Sequence, residues 1–256
     1  MGKQTALITG ASSGIGAAFA KQLSEKGYDL ILVARREERL KKLSQALQTD
    51  CAIITADLSK EEECLDLYEQ TKGRQIDILI NCAGFGDFGD FSSTSLEKEL
   101  DMIDVNIKAV HILTKKFLPD MMARDAGYIL NVASVAGLMP AGPYMATYYA
   151  TKAYVTSFTS AIAEELANEK SHVYVGALCP GPVDTEFDQV ADVSFGLKGI
   201  TAEYCVSYGL DNMFKKKRII VPTLLLKVAA LSSKLAPRNL VVRLAGRQQM
   251  RKNKGK

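Results

Sequence analysis

Thr5-Ala-Leu-Ile-Thr9-Gly10-Ala-Ser-Ser-Gly14-Ile-Gly16 stands almost at the start of the chain, and an amphipathic stretch from Ile15 to Lys26 follows it. Thr5–Thr9 is short, apolar and β-branched, the composition of a buried strand. The segment after it has helical periodicity, so the glycines lie between a strand and a helix. Gly10 permits a tight turn, Gly14 lets backbone approach a pyrophosphate, and Gly16 lets the helix sit close to the sheet. The amino end of that helix offers free N–H groups and a positive dipole to phosphate. Glycine spacing alone also occurs in ordinary turns, so the placement carries the weight of this reading.

The same alternation continues outward from this segment. Apolar strands are read at Thr5–Thr9, Asp29–Ala34, Cys51–Ala56, Ile76–Asn81, Tyr128–Val132, Val173–Cys179 and Ile219–Val221. Helical stretches lie between them, among them Glu37–Gln48 and Lys60–Lys72. Short, nearly continuous apolar strands alternating with helices predict a parallel sheet covered on both faces. Right-handed crossovers then give a single doubly wound Rossmann-type α/β domain with a seven-stranded parallel sheet, and ligands at the carboxyl ends of its strands. Residues 1–222 form this expected domain, and residues 223–256 form a basic amphipathic extension.

A chain of 256 residues, 47% hydrophobic and 24% charged, has the balance of an ordinary globule with a real core. The strand beginning at Thr5 leaves no room for a signal peptide, Ala6 spoils a myristoylation motif, and no apolar run suggests a spanning helix. A cytoplasmic protein is therefore expected. The five cysteines lack C-x-x-C spacing and read as free thiols, and two histidines make a histidine-rich metal site improbable.

Gly10-Ala-Ser12-Ser-Gly14 also fits a hydrolase nucleophile elbow. That chemistry needs a late histidine on a loop, whereas His111 falls within a helix and His172 at the start of a strand. The second strand ends Ala34-Arg35-Arg36 and carries no carboxylate. Two arginines at a helix start are unfavourable beside its positive dipole, unless an anion joins them. A ribose 2′-phosphate fits, so NADP is expected over NAD. Asp57 is read either as an acceptor for the adenine amino group or as a cap for the helix from Lys60, a role open to Ser59 too.

Tyr148 and Lys152 are four apart and share one helical face, and no other tyrosine in this segment has a lysine at that spacing. A nearby ammonium stabilises phenolate and lowers a phenol pKa from about 10, which makes tyrosine a usable acid or base. Ser134, just past the strand Tyr128–Val132, is able to donate to a carbonyl oxygen and stabilise developing alkoxide. Together with Thr9-Gly10-x-x-x-Gly14-x-Gly16, Asn81-Cys-Ala83-Gly84, Asn106 and Pro180-Gly181-x-x-x-Thr185, these residues resemble the short-chain dehydrogenase/reductase family. Cys82 departs from the second Asn that many members have. The resemblance implies Ser134, Tyr148, Lys152 and Asn106 as the catalytic set, with Lys152 also holding nicotinamide ribose and Asn106 supporting a proton-relay water. It implies cofactor contacts at Gly10, Ser12, Ser13, Gly14, Ile15 and Gly16, at Arg35 and Arg36, and at Asp57 and Leu58. Further contacts are implied at Asn81, Ala83 and Gly84, at Tyr148 and Lys152, and at Pro180, Gly181, Val183 and Thr185. The expected activity is hydride transfer between NADP(H) and a ketone or secondary alcohol. The alternative is a regulator that senses NADP(H) without turnover.

Leu138, Met139, Tyr144, Met145, Phe187, Val190, Val193, Phe195 and Leu197 are expected around the substrate, and no Lys or Arg lies between Ser134 and Tyr148. This favours an apolar substrate, such as a steroid or a 3-oxoacyl chain, although the same side chains would also serve as cover for the cofactor. From Lys215 to Lys256 there are 13 Lys or Arg and no Asp or Glu, against 19 basic and 29 acidic residues in the rest. Leu224, Leu225, Val228 and Leu231 form one apolar face, and Leu240, Val241 and Leu244 are placed opposite Arg243, Arg247 and Arg251. Such a tail packs on the acidic body or a second subunit of a homo-oligomer, or lies on anionic lipid. Nucleic acid is disfavoured, because only Phe214 is aromatic near these cations.

Overall fold

Successive residues of a strand point to opposite sides, so a strand with apolar residues throughout needs cover on both. In β1 (Thr5–Thr9), Ala6 and Ile8 pack into one core layer and Leu7 into the other. In β2 (Asp29–Ala34), Leu30 and Leu32 join the first layer, and Ile31 and Val33 the second. The computed structural model describes residues 3–187 and 199–253.

The remaining sheet strands are β3 (Cys51–Thr55), β4 (Ile78–Asn81), β5 (Tyr128–Val132), β6 (Tyr174–Leu178) and, after the pair β7 (Val183–Asp184) and β8 (Ile200–Thr201), β9 (Ile219–Ile220). The main sheet is parallel and seven-stranded, as expected, and its order is β3-β2-β1-β4-β5-β6-β9. Order reverses between β1 and β4, where Ala6 pairs with Ile78 and Ile8 with Ile80. The loops leaving these two strands therefore diverge and open a crevice at their carboxyl ends. The small β7–β8 pair was not legible, since two-residue strands carry no periodicity.

The helices are α1 (Gly14–Glu25), α2 (Glu37–Ser44), α3 (Glu61–Thr71), α4 (Leu96–Ile103), α5 (Val110–Ala123), α6 (Ala146–Asn168), α7 (Ala202–Phe214), α8 (Leu224–Leu235) and α9 (Arg238–Asn253). Phe19 and Leu23 of α1 and Val206 and Leu210 of α7 cover one face of the sheet. Leu67 of α3, Leu113 and Phe117 of α5, and Leu166 of α6 cover the other. The expected helix Glu37–Gln48 stops at Ser44, and Ser24 Oγ accepts from the Gln48 N–H at 2.9 Å, drawing the chain out of helical register.

Leu79 lies at the centre of β4 and is fully buried in the second layer. Leu79→Ala is expected to lower unfolding free energy by about 2–5 kcal/mol, because a cavity adds to the lost transfer energy. Urea unfolding checks this; a loss under about 1 kcal/mol would contradict the two-sided core.

Candidate active site

A cavity of about 830 Å³ runs from the turn after β1, past the ends of β4 and β5, to α8 and α9. Its first wall is the glycine turn. Gly10 has φ 67°, and a Cβ there would sit 2.8 Å from Ala83 Cα, so only glycine lets the β1 and β4 loops meet this closely. Thr9 Oγ1 fastens the same junction by accepting from the Cys82 and Ala83 N–H groups at 3.0 and 3.1 Å. A Cβ on Gly16 would lie 2.2 Å from the Gly10 carbonyl, so the start of α1 packs directly on the turn. Ser12, Ser13, Gly14 and Ile15 line the cavity beside them.

Arg36 lies where β2 gives way to α2 and donates to Ser12 Oγ at 3.2 and 3.0 Å and to Ser13 Oγ at 2.8 Å. It also pairs with Glu186 at 3.1 Å, and Arg39 donates to both oxygens of the same carboxylate at 2.7 and 2.8 Å. The Arg39 and Arg36 guanidiniums hold the Glu186 carboxyl below its ordinary range. One carboxylate is thus held by two arginines, and Arg36 also bonds two serine hydroxyls. Arg35 also lines the cavity. The sequence reading missed Arg39, although a residue three after Arg36 on a helix start falls on the same side.

The chemical end of the cavity is formed by Ser134, Tyr148 and Lys152, all in its lining. Ser134 follows β5 and caps the short 3-10 turn Val135–Leu138, accepting from the Ala136 N–H at 3.1 Å. Its hydroxyl donates to the Pro180 carbonyl at 3.4 Å and stands close enough to the Tyr148 phenol to oppose the effect of burial there. Burial pushes the Tyr148 phenol up to about 12, against the opposing effect of Ser134. That direction is opposite to the lowering expected from the neighbouring lysine. Burial also pushes Lys152 down to about 8, and its Nζ donates to the Val132 carbonyl at 2.8 Å. It stands 6.0 Å from the Tyr148 ring centroid. A Cβ on Gly84 would lie 3.3 Å from this Nζ and 2.8 Å from Asn106 Oδ1, so the β4 loop crowds both groups.

Asn106 does not line the cavity. It sits fully buried behind it, in a π-helical turn (Asp104–Ala109) between α4 and α5. Its amide accepts from the Phe85 N–H at 3.1 Å and donates to the Phe85 carbonyl at 2.9 Å and to Thr151 Oγ1 at 3.1 Å. Its side chain therefore fixes the β4 loop against α6. Asn81 is also not among the residues that line the cavity. It pairs across the sheet with Asn131, donating to Oδ1 at 2.8 Å, and to Thr114 Oγ1 at 3.2 Å. A strand residue whose side chain points into the layer behind the sheet cannot also face its end.

Asp57 and Leu58 line the cavity. Asp57 Oδ1 accepts from the Ser59 N–H and Oγ at 3.2 and 3.0 Å, a local turn contact, and neither residue caps α3 with its side chain. Ala83, Gly84, Pro180, Gly181, Val183 and Thr185 complete the cofactor-side lining. On the other side stand Met139, Met145 and Phe187, but not Leu138 or Tyr144. Val190, Val193, Phe195 and Leu197 lie outside the described residues. Lys98 and Asp101 of α4 also line the cavity, with Lys98 Nζ 2.5 Å from Asp87.

The chain after Pro222 builds the far wall, which the sequence did not reveal. Leu226 and Ala230 of α8 and Val241, Ala245 and Gln249 of α9 line it. Gln249 donates to the Tyr149 hydroxyl at 3.0 Å, and Arg238 to the Pro140 carbonyl at 3.2 Å, fastening α9 to the body. Val241 is buried and lines the cavity with half-exposed Leu244, while Leu240 is half exposed and does not line it.

A family model for short chain dehydrogenases matches residues 4–193. An uncharacterized oxidoreductase of Staphylococcus epidermidis is 36% identical over 192 residues, 74% of this chain and 82% of that protein. The solved structure of a short-chain dehydrogenase from Sphingobium yanoikuyae in complex with NADPH is 30% identical with a TM-score of 0.81, over 91% of this chain and 93% of that one. A 3-ketoacyl-(acyl-carrier-protein) reductase from Brucella melitensis complexed with NADH is 29% identical with a TM-score of 0.72, over 82% and 90%. With its sheet order, its glycine turn and a match over most of its length, this chain belongs to the short-chain dehydrogenase family of oxidoreductases.

Proposed function

We propose that this oxidoreductase uses NADP(H) to interconvert an apolar ketone and its secondary alcohol, of steroid or 3-oxoacyl type. The observation that carries the reaction is the convergence of Ser134, Tyr148 and Lys152 at the end of β5, inside a cavity that also contains a phosphate-type cradle. When bound, a nicotinamide dinucleotide supplies and accepts the hydride. The glycine turn, Ser12 and Ser13 would hold its phosphates, and Pro180, Gly181, Val183 and Thr185 its nicotinamide end.

In the reducing direction, Tyr148 Oη gives its proton to the substrate oxygen, and Ser134 Oγ donates a hydrogen bond to the same atom. A phenol raised to about 12 stays protonated throughout the neutral range, ready to act as the acid. Lys152 places a loosely held proton near that phenol and lowers the cost of forming phenolate. Asn106 acts as a positioning residue, keeping the β4 loop and α6 in register.

The arginine pair favours NADP over NAD, since Glu186 already marks an anion position between Arg36 and Arg39. Met139, Met145, Phe187, Leu226 and Val241 favour an apolar substrate. Residues 1–222 are read as the catalytic domain, and 223–256 as an extension that closes it. A homo-oligomer belongs to this reading, with exposed Leu96, Leu100 and Ile103 of α4 as a contact surface for a second copy.

Three outcomes are expected. Arg36→Ala and Arg39→Ala each lower kcat/KM for NADPH by about 10–100-fold, the worth of a charge-assisted bond, and leave NADH nearly unchanged. Equal losses with both cofactors would remove the NADP assignment. Tyr148→Phe abolishes turnover in a screen of apolar ketones while NADPH still quenches or shifts protein fluorescence; retained turnover would overturn the acid role. In the reducing direction, kcat/KM is level at low pH and falls as pH rises through about 8, where Lys152 loses its proton. A profile flat to pH 10 would contradict that role for Lys152.

A further inference from the structure

We propose that the outward face of α8, continued by the exposed side of α9, docks on an anionic phospholipid bilayer. The two faces of α8 have different neighbours. Leu226, Ala229, Ala230 and Ser233 turn to the cavity. Leu224, Leu225, Val228, Leu231 and Leu235 turn away from it and are 77%, 70%, 54%, 64% and 88% exposed. Five aliphatic side chains on one helical stripe are a contiguous apolar patch, not the scattered exposure common on protein surfaces. Lys227 and Lys234 border the stripe, and Arg243 and Arg247 stand with half-exposed Leu240 on the next helix.

Charge identifies the occupant. The segment from Lys215 onward has 13 Lys or Arg and no acidic residue, and among the described residues the last ion pair along the chain is Arg218 with Glu164. Among the described residues, no carboxylate of the body is therefore paired with the cations of α8 and α9. A symmetric contact with a second copy would set this face against itself, cation facing cation, with no carboxylate of the segment to relieve it. An anionic lipid surface satisfies both halves of the pattern: aliphatic side chains enter the headgroup boundary and Lys and Arg meet the phosphates. No helix among the described residues is long and apolar enough to cross a membrane, so α8 lies on the surface. It would then stand between lipid on one side and the cavity on the other. This inference depends on the geometry of α8 and α9 and not on which substrate is turned over.

The test is flotation of the full chain with vesicles of phosphatidylcholine alone and with vesicles of equal parts phosphatidylcholine and phosphatidylglycerol. The chain is expected to float with the mixed vesicles at low salt, to be released at high salt, and to stay down with phosphatidylcholine. Lys227→Ala and Lys234→Ala are each expected to reduce partitioning about five-fold. Leu225→Asp combined with Leu231→Asp is expected to abolish flotation without changing thermal unfolding or NADPH binding, because both sites are solvent-exposed. Failure of the full chain to float with the mixed vesicles overturns the proposal, as does unaltered flotation of the double variant. Loss of oligomer mass in that variant, with no flotation by either protein, would instead assign the face to a second copy and also overturn it.

Discussion

The head of Lys152 is an amine inside the protein, and the surrounding architecture answers to it. A buried ammonium is costly unless polar groups replace its water, and here the Val132 carbonyl at the end of β5 accepts its bond. That contact requires β5 to end beneath α6. The close approach of the β4 loop requires glycine at position 84, and Asn106 holds that loop through Phe85. A π-helical turn presents Asn106 there, in a region where an unbroken helix would turn its residues on a different period. The consequence for chemistry is a lysine whose proton is loosely held, beside a phenol whose proton is tightly held. Such opposed shifts mark groups suited to exchanging protons at neutral pH.

A second electrostatic arrangement governs the other end of the cavity. Glu186 ties the segment after β7 to Arg36 and Arg39 at the beginning of α2. Both arginines are partly exposed, so the ion pairs add little to stability. Their importance is geometric: they fix the Glu186 carboxylate beside the start of α2. The far wall is made by a basic tail, so the chain's charge is divided between an acidic body and a cationic cover.

The fold was legible because both-sided burial leaves an unambiguous mark. Leu30-Ile31-Leu32-Val33 has no polar face, and it pairs between β1 and β3 in the buried sheet. Tyr148 and Lys152 were legible because helical spacing alone puts them on one face. The bonds of Asn81 to Asn131 and Thr114 were not legible, because a motif gives position along the chain, not the side of the sheet a side chain takes. Arg39, Glu186 and the Gln249–Tyr149 bond were invisible for a related reason: each joins segments far apart in sequence, which only the fold brings together. The tail's composition announced a cationic amphipathic element, but not that its inner face would become a cavity wall.

The buried state of Lys152 is the claim on which the catalytic account turns, and its titration tests that claim directly. With lysine labelled at 13Cε and its resonance assigned through Lys152→Arg, an NMR titration of the protein alone should show one lysine with a midpoint near 8, far below exposed lysines. A Lys152 resonance titrating with the others, near 10.5, would mean an open, solvated amine and would contradict the site described here.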